Sequence, residues 1–427
     1  MGTDTTEITR EERTYLRELA RMQAGYAALP VMGKRRTMWL DVNTGRAGAR
    51  PPVVIETWTF DRDFMPAGIL RCATEAGKAV ERQLLRNVRN HELIDDDKVT
   101  PDTFDVGWHV TVDEFGVEIA TERAKDSQGY DTAYHFIHPI KNLKEDFHIL
   151  KPARCSVDRA ATVRSKAFAE ELLGDILPVR IRSYGGVSTF LTHRLMPLMG
   201  MEAFFLAMYD APDELHGLMA YLRDNALSIM RWYEAEGLLV LNNGNQDSFG
   251  SSYNFTGELP APGFDGTHVR LRDMWLSSNS QETVGVSPAL FGEFCFPYFR
   301  DVCQPMGLLY YGCCEPAHPF WEYIGRLPHL RKVSISRWCD ERFMADALRG
   351  TKIVYSRKPN PNFLSVDETL NEQAWAAHIR ETLDATRGVL TEFIIRDVYT
   401  VHGNVGNARK AVEVARREVD RACGPAT

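Results

Sequence analysis

Short apolar runs alternate along the chain with segments whose apolar residues recur at helical spacing. "PPVVIETW" (51–58) is the first run, followed by "DILPVRIRSYGG" (175–186), "GLLVLNNGNQD" (237–247), "SQETVGVS" (280–287) and "GLLYYGCCE" (307–315). "LRKVSISRW" (330–338), "TKIVYSRKP" (351–359) and "TEFIIRDVY" (391–399) complete the series. Apolar runs of this length, bounded by turn residues, read as buried strands. Helical patterns stand between several of them. "DERFMADALRG" (340–350) predicts a helix with Asp340 as N-cap and Gly350 past the last turn. In "VSPALFGEFCFPYFRDVCQPMG" (286–307), Ser287 is placed to cap and Pro288 to occupy the first helical position. Strand–helix alternation favours a parallel sheet, and eight repeats predict a closed (β/α)8 TIM-type barrel.

Residues 60–175 break the repeat. They carry a charged stretch, "NHELIDDDKVTPDTF", and then "VGWHVTVDEFGVEIA", which alternates like a β-hairpin turning near Phe115 and Gly116. We read them as a large insertion after the first strand, inside one domain spanning 1–427. At 427 residues the chain exceeds the usual single-domain size, but barrels with insertions reach it.

Composition narrows the function classes. A formal charge of -8 argues against a nucleic-acid surface, which needs a basic stripe. No apolar run approaches the roughly 18 residues of a membrane helix, so no membrane partner is expected. The N-terminal stretch is a charged amphipathic helix without the apolar region of a signal peptide. The eight cysteines (Cys72, Cys155, Cys295, Cys303, Cys313, Cys314, Cys339 and Cys423) do not read as a secreted disulfide framework. Reduced thiols in a cytoplasm fit them better.

In barrels of this kind the active site lies at the C-terminal ends of the strands. Those ends carry Tyr184 after the second run, then Asn242, Asn245, Gln246 and Asp247 after the third. Tyr311, Cys313, Cys314 and Glu315 follow the fifth, Arg337 and Cys339 the sixth, Lys358 the seventh, and Arg396 with Asp397 the last. Strand alternation would place Tyr311, Cys313 and Glu315 on one face and Cys314 on the other. Each has a plainer reading. A buried cysteine is more often a small hydrophobe than a ligand, and Asn-Gly-Asn is usually a turn. Asp340 reads as a cap, and Cys295 and Cys303 as packing. His135 and His138 have a spacing seen in metal sites, but they sit in the insertion.

The segment "VSPALFGEFCFPYFRDVCQPMGLLYYGCCEP" resembles the uroporphyrinogen decarboxylase superfamily, in which Ser-Pro opens a helix of the form F-x-E-F-x-x-P-Y that leads into a thiol-bearing strand end. The resemblance runs over roughly 175–415 and extends more weakly to "PVMGKRRTMWLDVNTG". It implies a TIM-type barrel. The methyltransferase branch carries H-x-C after this strand and a second cysteine after the last one, and these bind a zinc that activates a thiol. Here the stretch is Tyr311-Gly312-Cys313, and Arg396-Asp397 stands where the second cysteine would be. The runs "YYGCCEP", "SRWCD" and "SRKPNPN" are similar to a bacterial branch whose chemistry the resemblance does not supply. The decarboxylases use an arginine-rich N-terminal motif; Arg35, Arg36 and Arg46 lie in that region without matching its spacing.

These implications define the expected function: a metal-dependent methyltransferase moving a methyl group between a small substrate and a corrinoid or thiol acceptor. Zinc is the expected metal, with Cys313 as first ligand and Cys314, Glu315 and Asp397 as candidates for the others. Cobalamin would be the methyl carrier, free or on a partner protein. Arg337, Lys358 and Arg396 would hold an anionic substrate, with Tyr184, Asn242, Asn245 and Gln246 shaping its pocket. Asp247, Tyr311 and Asp397 would join Arg337 and Lys358 in the chemistry. The alternative is a metal-free decarboxylase or lyase in which those cations bind substrate carboxylates and Asp397 or Asp247 stabilises developing positive charge. A homodimer is left open.

Overall fold

A computed structural model describes residues 8–125, 131–183, 187–248 and 251–424. Its centre is a seven-stranded, all-parallel sheet: β1 (Val53–Ile55), β2 (Ser188–Thr189), β3 (Trp275–Ser278), β4 (Leu308–Tyr311), β5 (Leu330–Ile335), β6 (Val354–Arg357) and β7 (Thr391–Ile395). The spatial order is β1-β7-β6-β5-β4-β3-β2, every pair parallel. The fold is mixed α/β, and among the described residues no ladder joins β1 to β2.

Alternation along the strands sorts the core into two sides. Val333 and Ile335 of β5, with Leu309 and Tyr311 of β4, pack into the larger apolar cluster beside Phe294, Phe299 and Val302. Phe393 and Ile395 of β7 face the C-terminal helix Val405–Cys423, through Ala411, Val412 and Ala415. The other parity is unusually polar. Lys332, Ser334, Ser356, Lys358, Glu392 and Arg396 are all buried there.

Three strand expectations are corrected. Residues 237–247 form no strand in the sheet; the Asn242 amide instead accepts from Trp275 N at 2.9 Å and donates to Trp275 O at 3.0 Å. A side chain thus takes the place of a backbone ladder along β3. The strand expected at 280–287 lies earlier, at Trp275–Ser278, where all four residues are buried. Gln281–Thr283 is a 3-10 turn and Val284 is exposed. In 175–186, Val179–Arg182 pairs with Phe104–Gly107 outside the main sheet, and Ser188–Thr189 enters it instead.

The hairpin at Phe115 and Gly116 is also corrected. Gly116 takes a left-handed φ of +63°, and Asp113 Oδ1 accepts its N–H at 2.8 Å. The chain does turn there. However, Val110–Asp113 pairs antiparallel with Arg154–Val157, and Ala120–Lys125 with Asp131–Ile137. The two expected helices form. Ser287 accepts from Leu290 N and Asp340 from Phe343 N. The first helix breaks at Cys295 and restarts at Phe296, with Pro297 at its opening. Among the described residues no helix is long and apolar enough to cross a membrane.

Candidate active site

β4 ends at Tyr311, and Gly312 immediately turns the chain with φ +99°. A Cβ there would lie 3.0 Å from the Ser334 side chain, so glycine is required for both conformation and space. The strand does not continue through the thiols, and its alternation does not reach them. Tyr311 faces the helix layer, with its hydroxyl 2.6 Å from Ser280 Oγ. Tyr310 takes the inward parity instead.

Past the turn, both thiols face each other, Cys313 Sγ to Cys314 Sγ at 3.4 Å. Two anchors hold the loop. Ser334 Oγ donates to Cys313 O at 2.7 Å. Glu315 accepts from Cys313 N at 2.9 Å and from Ser280 N at 3.0 Å. Glu315 is almost fully buried, and burial raises its carboxyl pKa against those backbone hydrogen bonds.

From the far side, Cys314 Sγ donates to Asp397 Oδ2 at 3.3 Å. Asp397 sits just beyond β7 in a left-handed conformation, φ +59°, a strained backbone for a non-glycine residue. Arg396 reaches Asp397 Oδ1 at 3.5 Å and Glu56 Oε2 at 3.6 Å. Glu56 follows β1, and burial raises its carboxyl pKa while Arg396 opposes. The hydrogen bond from Cys314 lowers the Cys313 thiol, Arg396 adds to this, and burial opposes. That same bond, with burial, raises Cys314. The pair is thus asymmetric: the same contact favours ionisation of Cys313 and opposes that of Cys314.

Beneath the thiols lies a buried polar network. Lys358 Nζ donates to Tyr310 OH and Ser356 Oγ, each at 2.7 Å. Ser356 donates to Glu392 Oε1, and Lys332 Nζ lies 2.9 Å from Glu392 Oε2. Burial drives the Lys358 ammonium down to about 7, with Glu392 resisting.

The three expected cations do not converge. Arg337 stacks on the exposed Trp338 at 4.1 Å and donates to Asn360 and Asn362. Lys358 is committed to its network, and Arg396 alone of the three has an ion pair beside the thiols. In the turn after 237, Asn242 holds β3, Asn245 donates to Val99 O, and Gln246 accepts from Gly244 N. Asp247 is accessible in a separate cleft of about 210 Å³ with Trp58, Lys98 and Tyr253. Tyr184 lies outside the described residues. Arg35 is paired with Asp95 and Arg46 with Asp41.

Cys314 and Glu315 open onto a cleft of about 630 Å³ with Tyr134, Phe136, Met201 and Trp338 on its walls. His193 lines it too. Its Nδ1 lies 3.0 Å from Glu282 Oε1, and Thr192 Oγ1 donates to Glu282 Oε2 at 2.7 Å. Burial would raise Glu282, but these two bonds outweigh it and hold it ionised. A histidine oriented by a buried carboxylate is suited to moving protons. A larger cavity, about 980 Å³, sits at the opposite ends of β6 and β7, by Lys352 and Thr391. In folds of this kind that end serves stability rather than chemistry.

Sequence reasoning missed Glu56, His193 and Glu282. Glu56 was in reach, because it closes the first apolar run. His193 and Glu282 stand 89 residues apart, one of them on a helix, and nothing in the pattern links them.

Zinc, implied by the superfamily resemblance, was tested against the donors. Two thiols and a carboxylate are suitable chemistry. However, Glu315 is bound to backbone amides, and Tyr311 is turned away. Among the described residues no group of three or more His, Cys, Asp or Glu is arranged to hold a metal ion. The donors as placed do not fit a zinc centre.

The chain is similar in structure to a methyltransferase from Methanosarcina mazei, with a TM-score of 0.50 over 91% of this chain and 98% of that one, at 13% identity. A B12-independent methionine synthase from Shewanella sp. W3-18-1 matches more loosely, at TM-score 0.30 and 11% identity over 73% of this chain and 77% of that one. The first similarity bears on the fold alone. No family model and no curated protein matches the chain.

Proposed function

We propose that this chain is a methyltransferase that moves a methyl group between a small substrate and a thiol or corrinoid acceptor. The observation that carries this is the linked set Cys313–Cys314–Asp397 at the C-terminal ends of β4 and β7, reached from a cleft through Cys314. Thiolate sulfur is a strong nucleophile toward a methyl carbon and a poor one toward protons. In the forward step the Cys313 sulfur, or a thiolate bound beside it, forms the S–C bond. The bond from carbon to the departing oxygen or nitrogen breaks, and that atom takes the electron pair and a proton from His193. Arg396 favours the anionic sulfur before the step. Glu282 keeps the His193 ring in place.

The closed eight-stranded barrel with an insertion after β1 and membership of the uroporphyrinogen decarboxylase superfamily belong to the same proposal. The strand order supports them: it runs without a break from β2 through β7 and on to β1, as in a barrel opened at one seam. A cytoplasmic setting is proposed from the free thiols. The anionic-substrate reading now rests on Arg396, beside the thiol loop, rather than on three cations.

The test offers isotope-labelled methyl ethers, methylamines and sulfonium compounds with a low-molecular-weight thiol or cob(I)alamin as acceptor. Label should reach one acceptor, and Cys313→Ser should abolish transfer. Elemental analysis of protein purified without chelator decides metal dependence in the same preparation. Carbon dioxide release from a carboxylate substrate without methyl transfer would give the site to the lyase reading.

A further inference from the structure

We propose that Cys313 and Cys314 form a reversible modification site, closing to a vicinal disulfide when a hydroperoxide enters the cleft. The two sulfurs are 3.4 Å apart and share a hydrogen bond, so they are already within reach of each other, and closing the bond also distorts the peptide between them. Cys314 lines the cleft and is half-buried, which gives an oxidant access from one side. Cys313 is buried behind it and is the sulfur nearest to any oxidised Cys314. The loop itself is held: Gly312 turns it, and Ser334 and Glu315 fix the backbone at Cys313.

The step balances. Cys314 gives its thiol proton to Asp397 as its sulfur attacks the peroxide; the O–O bond breaks, Cys314 becomes a sulfenic acid, and the departing oxygen takes that proton and leaves as water or alcohol. The Cys313 sulfur then displaces the hydroxyl group, the S–S bond forms, and a second water carries off the remaining proton. Two thiols are oxidised and one peroxide is reduced.

The bridge would be easily reversed. Neighbouring Cα atoms are about 3.8 Å apart across a peptide bond, below the roughly 4.4–6.8 Å of an ordinary disulfide. Strained bridges are the readily reduced ones. Closure removes the thiol proton that Cys314 gives to Asp397 and consumes the Cys313 sulfur, so the site is switched off as a nucleophile while bridged.

The measurement is a mass rather than a turnover, so it stands or falls separately from the methyl-transfer reading. The reduced full-length protein is treated with one equivalent of hydrogen peroxide, and intact mass and iodoacetamide-accessible thiols are read before and after dithiothreitol. The expected result is loss of two hydrogens, loss of alkylation at both Cys313 and Cys314 in the digest, and full recovery on reduction. Cys314→Ser should show no such two-hydrogen loss. Wild-type protein that gains oxygen at either sulfur without bridging, or bridges through Cys339 or Cys423 instead, overturns the proposal.

Discussion

Cys314 Sγ donates to Asp397 Oδ2 at 3.3 Å, though 83 residues separate the two. Their strands are not neighbours, since β5 and β6 stand between β4 and β7. The contact therefore crosses the mouth of a curved sheet. Asparagine tolerates the left-handed backbone of Asp397, so Asp397→Asn removes the charge without adding strain. A hydrogen bond to a charged group contributes about 1.5–3 kcal/mol, which corresponds to a fall of roughly 10–100-fold in methyl transfer. The melting temperature should stay within a few degrees of wild type. Unchanged turnover in Asp397→Asn would remove Asp397 from the reaction.

Glu282 gives a second handle on the same cleft. Glu282→Gln keeps the shape but loses the charge that orients His193, and kcat should fall with KM unchanged. General acid–base groups contribute about 10²–10⁴-fold, so His193→Gly should fall by that order. Free imidazole should restore part of the His193→Gly rate. Loss of activity in both variants without any rescue would make the pair structural.

Much of this arrangement was legible in the sequence, and its limits have physical causes. β1, β4, β5, β6 and β7 follow apolar runs long enough to identify. β3 is hard to place because its Trp-Leu-Ser-Ser core has no β-branched residue, whereas the exposed Val284 and half-buried Val286 mimic a strand. The thiol loop is legible as a candidate, but its faces are not. Period-two reasoning stops where Gly312 turns the chain, and the pairing of Cys313 with Cys314 depends on that turn. Asn242 read as a pocket or a turn because a side chain standing in for a ladder leaves no periodic mark. That Arg396 and Asp397 lie beside the thiol loop is legible from strand ends alone.

Glu315 separates a ligand from a loop anchor. Its carboxylate accepts from Ser280 N and Cys313 N in a buried setting. Glu315→Gln retains one good acceptor and places an N–H against a donor. The cost should be about 1–3 kcal/mol in urea unfolding, with the metal content of the protein unchanged. A Glu315→Gln protein that loses bound metal while unfolding like wild type would restore Glu315 as a ligand.

Lys358 makes stability depend on pH in a definite direction. Its ammonium falls from 10.5 to about 7 in the folded chain, chiefly through burial. Between those values the unfolded chain holds a proton that the folded chain has released. Stability from this group therefore rises with pH across the window and is flat below about 7, where both states are protonated. Lys358→Met removes that slope, along with the hydrogen bonds to Tyr310 and Ser356. The variant starts lower for that reason, but the comparison lies in the slopes. Relative to wild type, Lys358→Met should gain stability as pH falls from 10.5 toward 7, on the order of a few kcal/mol over the window. Urea unfolding at closely spaced pH values measures it. Parallel curves for the two proteins would mean that Lys358 stays protonated throughout, held by Glu392 against the burial that surrounds it.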